Sequence, residues 1–177
     1  MRSAILGTVL TVAAGLAVTA PPRAEAAVLV ASCTATLSGS WSAPLDPGST
    51  NAAQPETLRQ SGPVGCFDDG GAPLVGGTMT RTTVLPAAQC TGIAYSDPST
   101  TGITWSDGTV STLSLGQAAV VTVLGNASTD GSGSMAATSA KFGGDAIDGA
   151  VMTTGPGCGT ASGQTNVTST VVFTLAR

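Results

Sequence analysis

Four cysteines, one glutamate and eight aspartates carry most of the acid–base, nucleophilic or metal-binding chemistry found beyond residue 26, and no histidine accompanies them. Without histidine neither a Ser-His-Asp nor a Cys-His arrangement can be built, and the side chain best suited to proton transfer near neutral pH is missing. No C-x-x-C spacing occurs, which removes the usual nucleus of a zinc site. The G-x-S-x-G pattern is absent too, and Gly131-Ser132-Gly133-Ser134 after Asp130 reads as a flexible turn. Thr138-Ser139-Ala140-Lys141 is a distant match to S-x-x-K and has no accompanying K-T-G.

Paired carboxylates are the one catalytic device this composition still allows. Glu56 is the single glutamate after residue 26, and most aspartates fall in turn contexts: Asp68-Asp69-Gly70-Gly71, Asp97-Pro98, Asp107-Gly108 and Asp130-Gly131. Side-chain bonding to the backbone of a turn explains those positions without catalysis. Asp145 and Asp148 lie three apart near a glycine-rich corner, but no calcium-loop pattern surrounds them. The expectation is a protein with no catalytic residues, no metal site and no cofactor.

The cysteines point instead to compartment. Arg2, the uncharged stretch 4–20, the Pro21-Pro22 break and Ala24-Glu25-Ala26 form the pattern of a secretory signal. Cleavage after Ala26 makes 1–26 a signal peptide and 27–177 a single secreted, extracellular domain with no membrane attachment. In that setting Cys33, Cys66, Cys90 and Cys158 are expected to form disulfides. A rival reading makes Val30-Ala31-Ser32-Cys33 a lipidation signal. Pro21, Pro22, Arg23 and Glu25 separate it from the apolar stretch, and lipidation would strand one of the other thiols. Of the three connectivities, Cys33–Cys66 with Cys90–Cys158 keeps each bridge in its own half of the chain.

Charge narrows the partners. Beyond residue 26 there are four basic and nine acidic residues, a formal charge of −5. Four scattered cations offer neither a counterion-releasing surface for nucleic acid nor a polybasic patch for anionic lipid.

The elements that must position these residues are strands. Thr, Val, Ser, Ala and Gly dominate, no long segment has apolar residues at helical spacing, and Gly, Pro, Asn and Asp punctuate short β-prone runs. Leu29, Ala31, Cys33, Ala35 and Leu37 share one face of a first strand; Val167, Val171, Phe173 and Leu175 share one face of the last. Ile103–Ser106 and Thr109–Leu113 around Asp107-Gly108 predict a hairpin with a type I′ turn and with Trp105 opposite Val110. Further strands are expected near 64–67, 77–85, 89–95, 118–125, 134–142 and 146–153, with Ala118–Leu124 covered on both faces. Residues 42–62, dense in Pro, Gly and Asn, predict a long surface loop carrying Glu56 and Arg59.

Among the aromatics, Trp105 and Phe173 fall on core faces. Trp41 and Tyr95 lie in polar, turn-rich settings and are the candidate ligand-binding residues, as aromatic platforms for a sugar or a protein.

Ile103-Thr104-Trp105-Ser106-Asp107-Gly108, followed by Val110-Ser111-Thr112, resembles the I-T-W-x-D/N-G…S-T stretch of small secreted four-cysteine proteins from high-GC Gram-positive bacteria. Phe142-Gly143-Gly144-Asp145 is similar to the F-x-G-D segment that follows it there, and the cysteine layout also matches. The resemblance covers roughly 90–177. It implies an immunoglobulin-like or related antiparallel β-sandwich with no assigned activity. The expected function is a non-catalytic binding or structural module at the cell exterior, with an extracellular protein or polysaccharide as partner. The alternatives are a secreted protease inhibitor using the bridged loop Gly155-Pro156-Gly157-Cys158-Gly159, and a carboxylate-based hydrolase using Glu56.

Overall fold

The computed structural model describes residues 27–48 and 50–177, so the expected signal peptide 1–26 lies outside the described residues. Among the described residues there are ten antiparallel strands. β1 (Leu29–Leu45) lies between β10 (Gln164–Ala176) and β2 (Gln54–Phe67), with Cys33 opposite Phe173 on one side and Cys66 on the other. The alternation anticipated for the first and last strands is present: Ala31, Cys33, Ala35 and Leu37 are buried, as are Val167, Val171, Phe173 and Leu175. β3 (Pro73–Ala88) pairs with β2 along its whole length.

Residues 42–62 do not form the expected long loop. β1 runs to Leu45 and β2 begins at Gln54, leaving 46–53 as the connection. Pro63 is accommodated where the β1–β2 ladder skips Thr36 and Leu37 and then resumes without a change of register, while the β2–β3 ladder continues through Pro63↔Thr78. Gly62 is needed at the same place, since a Cβ there would lie 2.0 Å from Thr36 O.

The next strands are short: β4 (Gly92–Tyr95), β5 (Ser99–Trp105), β6 (Val110–Leu115) and β7 (Ala119–Val123). The β5–β6 hairpin forms, but its turn differs from the type I′ expectation. Only Gly108 has positive φ, Gly108 N–H donates to Trp105 O, and Trp105 N–H donates to Thr109 O. That is a three-residue loop with glycine in the left-handed position. The extra residue shifts the register, so Val110 faces Thr104 and is exposed, while Trp105 is buried. The Trp105 ring meets Phe142 edge-on, with centroids 5.9 Å apart, and its Nε1–H donates to Ser111 Oγ at 2.8 Å. The two motifs of the resemblance thus meet as packing at one end of the molecule.

β8 (Asn126–Met135) and β9 (Ala146–Thr154) complete the set. The strand expected at 134–142 is absent, and Asp130–Ser134, read as a turn, is strand. Gly133 serves close approach, since a Cβ there would lie 2.0 Å from Ser114 O. β8 pairs with β9 from Ala127↔Thr153 to Ser134↔Ala146, which joins the two ends of the sheet. β1, β2, β3, β5, β6, β8, β9 and β10 therefore close into an eight-stranded barrel. The all-β, antiparallel, two-disulfide expectation holds, whereas the immunoglobulin-like sandwich does not, because one continuous ladder replaces two faced sheets.

The barrel wall forks. The C-terminal half of β8 pairs with β6, and its N-terminal half pairs with β7, which carries β4. On the other side of the fork, β3 pairs with β5 only from Gly77 to Arg81. Beyond that point Asp97 N–H donates to Val84 O and tethers the connector after β4. Because β7 sits in this branch, its outer face is open: Val121 and Val123 are exposed, against the expectation of a strand covered on both sides.

Candidate functional site

The inward alternation of each strand fills the barrel with two separate apolar clusters. One surrounds the Cys33–Cys66 bridge and includes Met79, Ile103, Trp105, Met135 and Phe173. The other surrounds Cys90 and includes Leu45, Leu85, Ala94 and Val120, with Trp41 and Cys158 packed against it. Both disulfides pair as the sequence predicted, with Cα atoms 4.0 Å apart across β1–β2 and 5.7 Å apart for Cys90–Cys158.

Between the two clusters lies a polar belt. Thr101, Arg81 and Gln60 occupy one cross-strand row on β5, β3 and β2, and Thr83 follows Arg81 on the same face of β3. Gly39, opposite Gln60 on β1, puts no side chain into the interior, so Gln60 reaches across to β10. There its Nε2 donates to Ser169 Oγ at 2.7 Å, and Ser169 Oγ also meets Thr153 Oγ1 at 2.7 Å.

The belt is half satisfied. Gln60 Oε1, Arg81 Nε, Thr83 Oγ1 and Thr101 Oγ1 are buried without hydrogen-bond partners. Buried polar groups ordinarily find partners, so four orphans in one layer single this belt out as the candidate site. Arg81 is the most consequential of them. The two ion pairs among the described residues are Lys141–Asp107 and Arg177–Asp145, and neither involves it. Arg81 is half-buried, and desolvation lowers its pKa from the ordinary value, the direction expected for a cation partly withdrawn from water.

A void of about 60 Å³ lies beside this row, lined on one side by Met79, Leu113, Ile147 and Phe173 and on the other by Arg81 and Thr101. Its wall also includes Ser96, Ser99, Gly116 and Ala118, the connectors that cross at the fork. Smaller voids of about 30 and 20 Å³ continue past Thr83, Leu85 and Val120 towards the Cys90–Cys158 end.

The residues singled out from sequence take other places. Trp41 is half-buried, packs into the lower cluster and donates from Nε1 to Gln164 Oε1 at 3.3 Å. Tyr95 is 59 % exposed on the outer face of β4, where alternation turns Ala94 inward. The two aromatics therefore do not converge on one surface. Glu56 sits buried on β2, where Oε2 accepts from Ser42 Oγ at 2.5 Å and Ala43 N–H at 2.9 Å, while Oε1 accepts from Gln54 at 3.3 Å. It clamps two strands together instead of projecting from a loop.

Sequence reasoning passed over Arg81 and Gln60, counting the first only as a scattered cation. The signal was present in parity: Arg81 alternates in phase with Met79, Thr83 and Leu85, and Gln60 with Leu58, Val64 and Cys66. No protein-family model, curated protein or solved structure matches the chain.

Proposed function

We propose that this chain is a secreted, non-catalytic binding module, exported with cleavage after Ala26, whose barrel interior is the binding site. The observation that carries the reading is Arg81, a half-buried guanidinium whose Nε is buried without a hydrogen-bond partner and which has no counter-charge among the described residues, beside a void and next to a fork in the wall. A buried donor left unsatisfied costs about 1–3 kcal/mol, and an interior kept for stability alone is better served by an apolar residue of the same size. The disposition of the other reactive groups supports the absence of catalysis. All four cysteines are bridged, and Glu56 is engaged through both carboxylate oxygens. Asp68 accepts from Ala72 N–H within its turn. Export is supported by the two bridges, which an oxidising compartment maintains.

A second surface favours contact with an extracellular protein or polysaccharide. Ile93, Tyr95, Val121 and Val123 are exposed on the outer face of β4 and β7, where Ile93 lies directly opposite Val121.

The test uses protein purified from the supernatant of a secreting host. Intact mass should give a chain beginning at Ala27. One-to-one binding of a small organic molecule, with no turnover of glycoside, ester or peptide substrates, supports the proposal. Turnover that survives repurification and disappears in Glu56→Gln overturns it.

A further inference from the structure

The mid-barrel layer is unbalanced in both charge and hydrogen-bonding sense. Three of its four orphaned atoms belong to donors, Arg81 Nε, Thr83 Oγ1 and Thr101 Oγ1, and one to an acceptor, Gln60 Oε1. Threonine hydroxyls can also accept, but an arginine cannot. What completes the layer must therefore present an acceptor atom to Arg81 Nε, and a negative charge there pairs with the one cation of the layer.

The remaining walls limit which anion fits. Met79, Leu113, Ile147, Val171 and Phe173 bring apolar surface to the same void. Such walls suit a ligand with a hydrocarbon part and do not suit a small, strongly hydrated oxyanion. A dianion would face one cation in a domain whose formal charge is already −5. A neutral apolar ligand would leave Arg81 uncompensated. The size is bounded too: a void needs roughly 10–15 Å³ to hold a single water, so about 60 Å³ accepts a carboxylate and a few carbons. The narrower voids beyond Thr83 extend the apolar path towards Trp41 and Val120.

We propose that the void beside Arg81 binds a small monocarboxylate with a short apolar tail. The carboxylate is received by Arg81 and Thr101, and the tail lies among Met79, Leu113, Ile147 and Phe173. Arginine suits this role because its planar fork matches a carboxylate, and desolvated charge-assisted bonds are the strong ones. Entry is through the fork, where Ser96, Ser99, Gly116 and Ala118 stand between the two branches of the wall. The β8–β6 and β8–β7 ladders lie on either side of it, and what has to open is the local latch of Ser96 N–H on Ala118 O, Ala118 N–H on Ser96 Oγ and Gly116 N–H on Ser132 O. The inference rests on reading the barrel interior as the binding site.

The experiment is titration calorimetry of the secreted protein at pH 7 with hexanoate, benzoate, 1-hexanol and inorganic phosphate. The expected result is one hexanoate or benzoate per chain, bound at least tenfold more tightly than hexanol or phosphate. Arg81→Met should reduce carboxylate affinity at least tenfold and leave hexanol binding intact. Thr101→Val, a near-isosteric change that keeps the charge, should weaken hexanoate several-fold and guards against a folding defect in the first variant. Equal binding of hexanoate and hexanol, or full carboxylate affinity in Arg81→Met, overturns the carboxylate assignment and leaves interior binding standing. Phosphate bound more tightly than hexanoate also overturns it, in favour of an inorganic oxyanion. Absence of binding by all four probes overturns both the assignment and the interior site.

Discussion

Arg81 on β3 lies directly opposite Thr101 on β5, and this last pair of their ladder turns two unpartnered groups, Arg81 Nε and Thr101 Oγ1, into the barrel. Past it the wall divides, so the layer with the greatest need for a partner is also the layer beside the fork. The unsatisfied groups thereby fall between the two apolar clusters that carry the packing.

Arg81→Met is expected to stabilise the unliganded protein. The substitution removes the buried, unsatisfied Nε–H of a half-buried guanidinium that has no ion-pair partner among the described residues, and puts an apolar chain in its place, a change of about 1–3 kcal/mol in favour of folding. Denaturant titration of both proteins after exhaustive dialysis measures it. A destabilised Arg81→Met variant would mean that the guanidinium has a counter-charge within the protein.

The two bridges should differ in reach. Each closes a long loop, with sequence separations of 33 and 68, and is worth roughly 4 kcal/mol in chain-entropy terms. Cys33 and Cys66 lie within the larger apolar cluster, on strands already in register. Cys90–Cys158 ties the connector before β4 to the segment between β9 and β10. Hydrogen exchange of a Cys90→Ala/Cys158→Ala double variant should rise first in 89–95 and 119–124. In the Cys33→Ala/Cys66→Ala variant it should rise throughout the barrel. The same exchange pattern in both would contradict this division.

Much of this was legible in the sequence. Period-two alternation placed β1 and β10 and turned Cys33 inward, and the count and spacing of cysteines led to both bridges. What failed has a common physical origin. Gly62, Pro63, Gly131 and Gly133 were read as punctuation, yet each sits inside a strand, with Gly62 and Gly133 tight against a neighbouring strand's carbonyl and Pro63 in a gap of its ladder with β1. A single sequence cannot separate a glycine that turns the chain from one that lets two backbones approach. Barrel closure was equally hidden, because the β8–β9 ladder leaves the local alternation of either strand unchanged. Arg81 shows the opposite failure, since it was counted only as one of four scattered cations although its parity with Met79, Thr83 and Leu85 pointed it inward.

Gly149→Ala should cost about 1–3 kcal/mol, because an added Cβ would lie 2.5 Å from Val172 O and 2.7 Å from Phe173 Cβ. Gly149 lies opposite both Phe173 and Gly131, so β9 has backbone on either side and little room to retreat. Thermal unfolding of the variant checks this, and an unchanged midpoint would show that β9 and β10 separate more readily than their ladder implies.

Asp107 should titrate well below the usual carboxylate range. The hydrogen bond from Lys141 Nζ, at 2.6 Å, is the main cause, followed by bonds from Thr109. With the folded pKa below its ordinary value of 3.8, whatever this contact adds to stability is present above that pH and is lost as the pH falls through the folded value. The pair is exposed, so the effect on global stability is small and the carboxyl resonance is the better observable. Lys141→Gln should move that resonance's midpoint up towards the ordinary value; an unchanged midpoint would remove Lys141 as the cause.

The central claim is that the interior layer around Arg81 receives a ligand, and a crystal structure with 6-bromohexanoate tests it most directly. The prediction is anomalous signal from bromine inside the barrel, with the carboxylate on Arg81 and Thr101 and the fork residues 96–99 and 116–118 framing its path. Water alone beside Arg81, with bromine confined to the outer surface, would contradict the account.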